Sequence, residues 1–229
     1  MNQLVTTGII LGRTDYGEAD RILTLLTPDQ GKLRLLARGV RRVKSKLAGG
    51  IELFSVSHIT YIPGKNGGMG TLISTRLDTH YGKIVQEIER TMLGYDLIKQ
   101  INRQTEDEPE AGYFHLLQAS FEALNNLEVA LPLMRLWFTA QLLRLNGHEP
   151  NLRTDDQGAP LDPTITYNFS FEHMAFSPAG DRGRFGAQHI KFLRLCFGEY
   201  SATTLAQVQG SAKLTETCAT IVQNLSSHL

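Results

Sequence analysis

A chain of 229 residues, 41% hydrophobic and 20% charged, has the material for a soluble globular protein with a sizeable core and room for two domains. Its 23 basic and 23 acidic residues give a formal net charge of zero, so any basic patch must be balanced by acidic surface elsewhere. No apolar run approaches the roughly 20 residues of a membrane span.

The N-terminus, MNQLVTTGIILGRTDYGEADR, lacks the charged start and cleavage site of a signal peptide, and a cytoplasmic protein is expected. In chain order, residues 4–14 are rich in β-branched and apolar side chains and read as a strand that Gly8 could bulge. A turn at 16–20 leads to a second strand at 21–27, and Pro28-Asp29-Gln30-Gly31 joins it tightly to a third at 32–37. Residues 52–62 and 70–77 supply a fourth and a fifth, separated by the glycine-rich turn at 63–68. Five short strands in about 75 residues fit an OB-type barrel, and an SH3-like barrel would give a similar pattern.

Beyond Asp78 the period changes to that of a helix. Helices are expected over 84–100 and 113–127, with the acidic linker Glu106-Asp107-Glu108-Pro109 between them, and over 131–145, the most apolar segment. Residues 151–186 lose the period and could hold a hairpin of 164–169 with 171–176; 188–197 and 213–225 then read as helices. The fold class is therefore α+β: an N-terminal five-stranded β-barrel domain at 1–80 and a helical C-terminal domain at 81–229 with an irregular or hairpin insertion at 151–186.

Residues 31–46, GKLRLLARGVRRVKSK, carry Lys32, Arg34, Arg38, Arg41, Arg42, Lys44 and Lys46 with no Asp or Glu among them. Most charge runs are solvated surface. This one follows a strand of a small barrel, a setting in which loops bind single strands, so a nucleic-acid backbone is the natural counter-charge. Aromatic partners for bases are few: Tyr16, Phe54 and Tyr61, with Phe54 expected in the core.

No catalytic constellation emerges. None of the seven histidines has the H-x-x-x-H or H-x-x-E-H spacing of a zinc site. Gly64–Gly70 lacks the G-K-[ST] ending of a phosphate loop. Asp15, Glu18 and Asp20 could attract Mg2+, yet no further catalytic group stands at a diagnostic spacing. Cys196 and Cys218 lie in apolar helical patterns without a C-x-x-C partner, so buried free thiols are expected. Neither a metal nor a cofactor is indicated.

Three blocks together, Gly17-Glu18-x-Asp20-Arg21-Ile22-Leu23, Leu25-Leu26-Thr27-x-x-x-Gly31-Lys32 and Ala37-Arg38-Gly39-x-Arg41-Arg42-x-x-Ser45, resemble the N-terminal signature of the bacterial recombination mediator RecO family. Leu53-Phe54, Gly68-Met69-Gly70-Thr71-Leu72 and Leu145-Asn146-Gly147-His148-Glu149-Pro150-Asn151-Leu152 are looser matches. The resemblance implies an OB domain followed by a helical domain, a nucleoid-associated protein that binds single- and double-stranded DNA, anneals complementary strands and helps load the RecA recombinase on DNA coated by single-strand-binding protein, and no catalytic centre. Its implied partners are RecR, the C-terminal tail of single-strand-binding protein and, indirectly, RecA. The cations matching Lys32, Arg38, Arg41 and Arg42 are implied to face DNA. An acidic, apolar tail calls for a cation beside an apolar groove, for which Arg135 is the candidate; a snorkelling arginine on a core helix is the plainer reading. Many members of the family carry four zinc-binding cysteines that are missing here, which resembles its zinc-free branch. The alternative function is a scaffold that binds no DNA and bridges partners through its helices.

Overall fold

Alternation of inward apolar and outward polar residues closes the first 80 positions into a barrel. In the computed structural model, which describes residues 2–105 and 110–227, the strands are β1 (Leu4–Tyr16), β2 (Asp20–Thr27), β3 (Gly31–Ala37), β4 (Ser55–Ile62) and β5 (Gly70–His80). Their order around the barrel is β1-β2-β3-β5-β4, with β4 returning to β1. All neighbours are antiparallel except β3 and β5, which run parallel. This is the OB-type arrangement. The bulge in β1 falls between Ile10 and Gly12, opposite β2, and not at Gly8, which pairs with Ser57 in regular register. A side chain at Gly8 would press on Ile59 and Leu25, so close packing, not an irregular backbone, accounts for that glycine.

Ile10, Leu23, Leu25, Leu35, Ala37, Ile59, Tyr61 and Leu72 fill the barrel. The connection from β3 to β4 also enters this core: Val40 is 4% exposed and Ile51 1% exposed, with Leu47 and Leu53 packed against them. Tyr61 is thus a core residue, buried at 3% exposure, and is unavailable for base stacking.

Two helices complete the first compact unit, Met1–Asn125: α1 (Ile88–Gln104) and α2 (Ala111–Asn125). The barrel ends at His80, while this unit runs on because both helices pack with it. Phe54 is the joint. It is 1% exposed, it meets Tyr95 of α1 and Phe121 of α2 edge-on with ring centroids 5.3 and 5.4 Å apart, and it lies so close to Gly94 that a Cβ there would come within 2.6 Å of its ring. Arg90, buried on α1, donates to Glu87 Oε2 at 2.8 Å and to the Leu124 carbonyl at 3.1 Å, tying α1 to the end of α2. The acidic linker 106–109 lies outside the described residues, as does His228.

The second unit, Asn126–Leu229, is built on α3 (Leu131–Leu145), which buries Leu133, Met134, Leu136, Trp137, Phe138, Ala140, Leu142 and Leu143. Around it pack α4 (Ala187–Phe197), α5 (Ala202–Ala206) and α6 (Ser211–Ser226). The end of α4 leaves carbonyls without helical partners. Gln141 Nε2 donates to Cys196 O and Gly198 O, both at 2.7 Å, and Arg144 donates to Phe197 O at 3.2 Å. Cys196 and Cys218 are buried free thiols, and burial pushes both thiol pKa values up. The 151–186 segment is a three-stranded sheet: β6 (Asn151–Asp155), β7 (Tyr167–Ser170) and β8 (Ala175–Pro178), ordered β6-β8-β7. The hairpin is shorter than the sequence pattern implies, and β6 adds to it in parallel. Phe176, 0% exposed, holds the sheet together against Tyr167, Phe169 and Phe185.

Because Phe54 joins the barrel to both helices, Phe54→Ala is expected to lower the unfolding free energy by about 3 to 5 kcal/mol. The check is the urea midpoint; a shift corresponding to under about 1 kcal/mol would remove Phe54 from this role.

Candidate nucleic-acid interface

The basic residues lie on β3 and on the chain that leaves it. Lys32 and Arg34 are on the strand, while Arg38, Arg41, Arg42, Lys44 and Lys46 occupy a series of turns. Gly39 begins that series with φ +64°, a conformation that favours glycine. Arg42 N donates to Gly39 O at 3.1 Å and Ser45 N to Arg42 O at 2.9 Å. The loop is therefore wound, not extended. Val40 turns into the barrel, and Val43, three residues on, is fully exposed.

Two bonds fasten the loop to the tip of the β1–β2 hairpin. The Asp20 carboxylate accepts from Gly39 N at 2.7 Å, and the Ala19 carbonyl accepts from Arg41 N at 2.9 Å. Further along, Thr75 Oγ1 of β5 donates to the Leu47 carbonyl at 3.2 Å. Both ends of the basic segment are thus held by the barrel.

The seven cations are not equivalent. Lys32 is half-buried and donates through Nζ to the Asn102 carbonyl at 2.8 Å, near the end of α1. Arg41 is exposed but lies 3.5 Å from Asp15, which also holds Arg21 at 2.8 Å. Absence of acids within 31–46 thus does not leave every cation uncompensated, since β1 brings one in from outside the segment. Arg34, Arg38, Arg42, Lys44 and Lys46 are exposed, and among the described residues no carboxylate stands within ion-pair distance of them. Their repulsion is relieved only by water and counter-ions, which a polyanion would displace.

The acidic trio Asp15, Glu18 and Asp20 is divided among structural tasks: Asp15 pairs with arginines and Asp20 caps the loop. Among the described residues, no three His, Cys, Asp or Glu side chains gather as a metal site. The hydrogen bond from Arg21, reinforced by the nearby Arg41 charge, holds the Asp15 carboxyl below its ordinary value of 3.8. Tyr16 is 53% exposed beside this group. Arg135 is in the other unit, on the exposed side of α3; its sequence neighbours Leu133, Met134, Leu136, Trp137 and Phe138 are buried, so they form core and not a surface groove. Among the described residues no helix is long and apolar enough to cross a membrane.

Residues 1–80, the whole barrel, match the family model for the N-terminal domain of recombination protein O. The barrel is thus similar to the N-terminal domain of the RecO family. The chain is 33% identical over 149 residues to the DNA repair protein RecO of Dehalococcoides mccartyi, a match covering 65% of this chain and 58% of that protein. It is 36% identical over 148 residues to RecO of Roseiflexus sp., covering 64% and 51%. To RecO of Halalkalibacterium halodurans it is 30% identical over 171 residues, covering 74% and 65%. The chain thus spans between 51% and 65% of the length of these curated relatives.

The family signature seen in the sequence falls on the β1–β2 tip, β2, the β2–β3 turn and the basic loop. Gly31, at φ +64°, closes the β2–β3 hairpin. Asp20 was visible in the signature, but its task was not, because a side chain reaching Gly39 nineteen residues away leaves no periodic trace.

Two outcomes follow. Replacing Asp20 by Ala removes the cap and is expected to cost about 1.5 kcal/mol and to speed tryptic cleavage between Arg38 and Lys46; unchanged cleavage would mean the loop is held without it. The Asp15 carboxyl is expected to titrate below 3.8 by NMR. With its folded pKa depressed, its contribution to stability is full above the ordinary carboxylate value and is lost as pH falls through the folded value. A titration midpoint at or above the ordinary value would refute the Arg21 and Arg41 pairing in solution.

Proposed function

We propose that this chain binds DNA through the barrel's basic loop and acts as a mediator of DNA repair by recombination, without being an enzyme. The observation that carries the reading is a set of five exposed cations without an ion-pair partner among the described residues: Arg34 on β3, and Arg38, Arg42, Lys44 and Lys46 on the loop that follows it, which is fixed at both ends. A fixed loop presents its charges together, so phosphates meet them without first ordering the chain. Arg41 joins the set at the expense of its contact with Asp15, and Lys32 at the expense of its bond to Asn102.

Such a surface serves single and double strands alike, because it recognises backbone and not base edges. Gathering phosphates from two strands screens their mutual repulsion, which lets complementary sequences pair; this is strand annealing by electrostatics. RecR, the tail of single-strand-binding protein and, through them, RecA are the partners that the family likeness supports. For an acidic tail, the exposed Arg135 on α3 is the cation we propose in the helical unit, with its apolar seat drawn from residues other than its buried neighbours.

A second reading has one specific observation in its favour. Ile88, Met92 and Tyr95, spaced four and three apart on α1, are 81%, 62% and 49% exposed, an apolar stripe suited to a protein partner. A scaffold that binds no DNA would use it.

Titrating single-stranded oligonucleotides across salt concentrations separates the two. Five phosphate contacts give a slope of log K against log salt of about −3.5, or roughly two decades of affinity lost between 50 and 200 mM. Changing Arg38, Arg41 and Arg42 together to Ala is expected to flatten that slope by about 1.5 to 2. An affinity independent of salt, or a variant that binds like the wild type, would contradict the proposal.

A further inference from the structure

A second stretch of the chain repeats, in the helical unit, the charge pattern of residues 31–46. Residues 182–198 carry Arg182, Arg184, Lys191 and Arg194 with no Asp or Glu among them, and Asp181 and Glu199 stand just outside. All four cations are exposed, as are Arg153 of β6 and Lys213 of α6. Among the described residues no carboxylate lies within ion-pair distance of any of the six. Glu199 is engaged by Arg144, 3.7 Å away.

The start of the segment is fastened to the small sheet. Gly183 N donates to Thr166 Oγ1 at 2.7 Å, and Tyr167 and Phe185 exchange backbone bonds at 2.8 and 2.9 Å. Phe185 is buried, while Arg184 between these two anchors stays exposed, its guanidinium 5.7 Å from the centre of the Phe185 ring. At the head of α4, His189 Nδ1 accepts from Gly186 N at 3.1 Å. Burial, followed by the Lys213 and Arg184 charges, holds the His189 imidazole below its ordinary value of 6.5, so cations from α6 and from this segment act on one spot. Helix α4 then turns Ile190, Phe192, Leu193, Cys196 and Phe197 inward, which leaves Lys191 and Arg194, three residues apart, as neighbours on its outward side. Arg194 is braced by a bond from Nε to the Leu152 carbonyl at 2.8 Å. A groove of about 770 Å³ opens there, and its lining includes Arg153, Arg194 and one acid, Glu149.

We propose that this face of the helical unit is a second phosphate-binding surface, on which a nucleic-acid strand lies along α4 from Arg184 and Lys213 to Arg153 and Arg194. The inference rests on the DNA-binding reading above and deepens it. A chain with one phosphate-binding surface in each unit holds two strands at once, whereas the basic loop alone must divide its cations between them. Charge and shape choose the occupant. The cations are strung along a helix of 11 residues, about 16 Å long, and are not gathered in one pocket. A repeating anion answers them step by step, while an acidic peptide with apolar side chains finds those of α4 already turned into the core.

The test counts strands per chain by native mass spectrometry at low salt, using the full chain and a thymidine oligonucleotide of about seven nucleotides. The wild type is expected to take two strands, and Arg153→Ala, Arg184→Ala and Lys191→Ala together to leave one. These three side chains are exposed, so thermal melting of the variant should match the wild type; Arg194, which braces β6, stays in place. A charge-keeping variant, Arg153→Lys with Arg184→Lys and Lys191→Arg, should again take two. Raising salt from 50 to 200 mM should weaken the strand on α4 by about two decades, as five phosphate contacts would. A neutral variant that still takes two strands, or a wild type that takes only one, would overturn this surface and leave the basic loop as the binding element. An oligo-aspartate peptide whose binding the neutral variant loses, with the strand count unchanged, would assign the face to a protein partner and overturn the proposal. A wild type that takes no strand would overturn the DNA-binding reading itself, and this inference with it.

Discussion

The interface depends on two hydrogen bonds between the β1–β2 tip and the start of the basic loop. Asp20 accepts from Gly39 N, and Ala19 O accepts from Arg41 N. A loop of this composition repels itself, and in isolation it would spread its charges through a large volume. Tied to a hairpin tip, with Val40 and Ile51 sunk into the barrel, it holds Arg38, Arg42, Lys44 and Lys46 exposed and, among the described residues, without an ion-pair partner. The barrel stabilises what electrostatics alone would scatter, which is why a protein of zero net charge can still offer a concentrated positive field.

The same constraint explains why acids and bases are interleaved here. Asp15 neutralises Arg21, a cation on the barrel's inner parity, and draws in Arg41. Asp20 serves a backbone amide. Each carboxylate of the tip that touches the loop therefore supports its position more than it cancels its charge, and the exposed Glu18 is left to face solvent.

Much of this was legible in the sequence where the signal is local. The alternation in 21–37 and the Pro-Asp-Gln-Gly turn gave β2 and β3 nearly to the residue, and the apolar run at 131–145 coincides with α3. What was not legible depends on contacts distant along the chain. The bulge between Ile10 and Gly12 is a mismatch with β2, which the glycines at 8 and 12 do not by themselves locate. Strand β6 has only a few bonds to β8 and an irregular register, too short for a period to show. Packing of α1 and α2 with the barrel turns on Phe54 meeting Gly94, a fit between two residues that no spacing rule connects. In the candidate site, the run of cations was plain, whereas distinguishing Lys32 and Arg41 from the other five needed Asn102 and Asp15 brought to them by the fold.

The most direct measurement of the central claim is backbone amide exchange with and without a saturating single-stranded oligonucleotide. The account expects slowed exchange across residues 34–46 and along the facing strands of the first unit. Protection confined to the second unit, residues 126–227, with 34–46 unchanged, would contradict it.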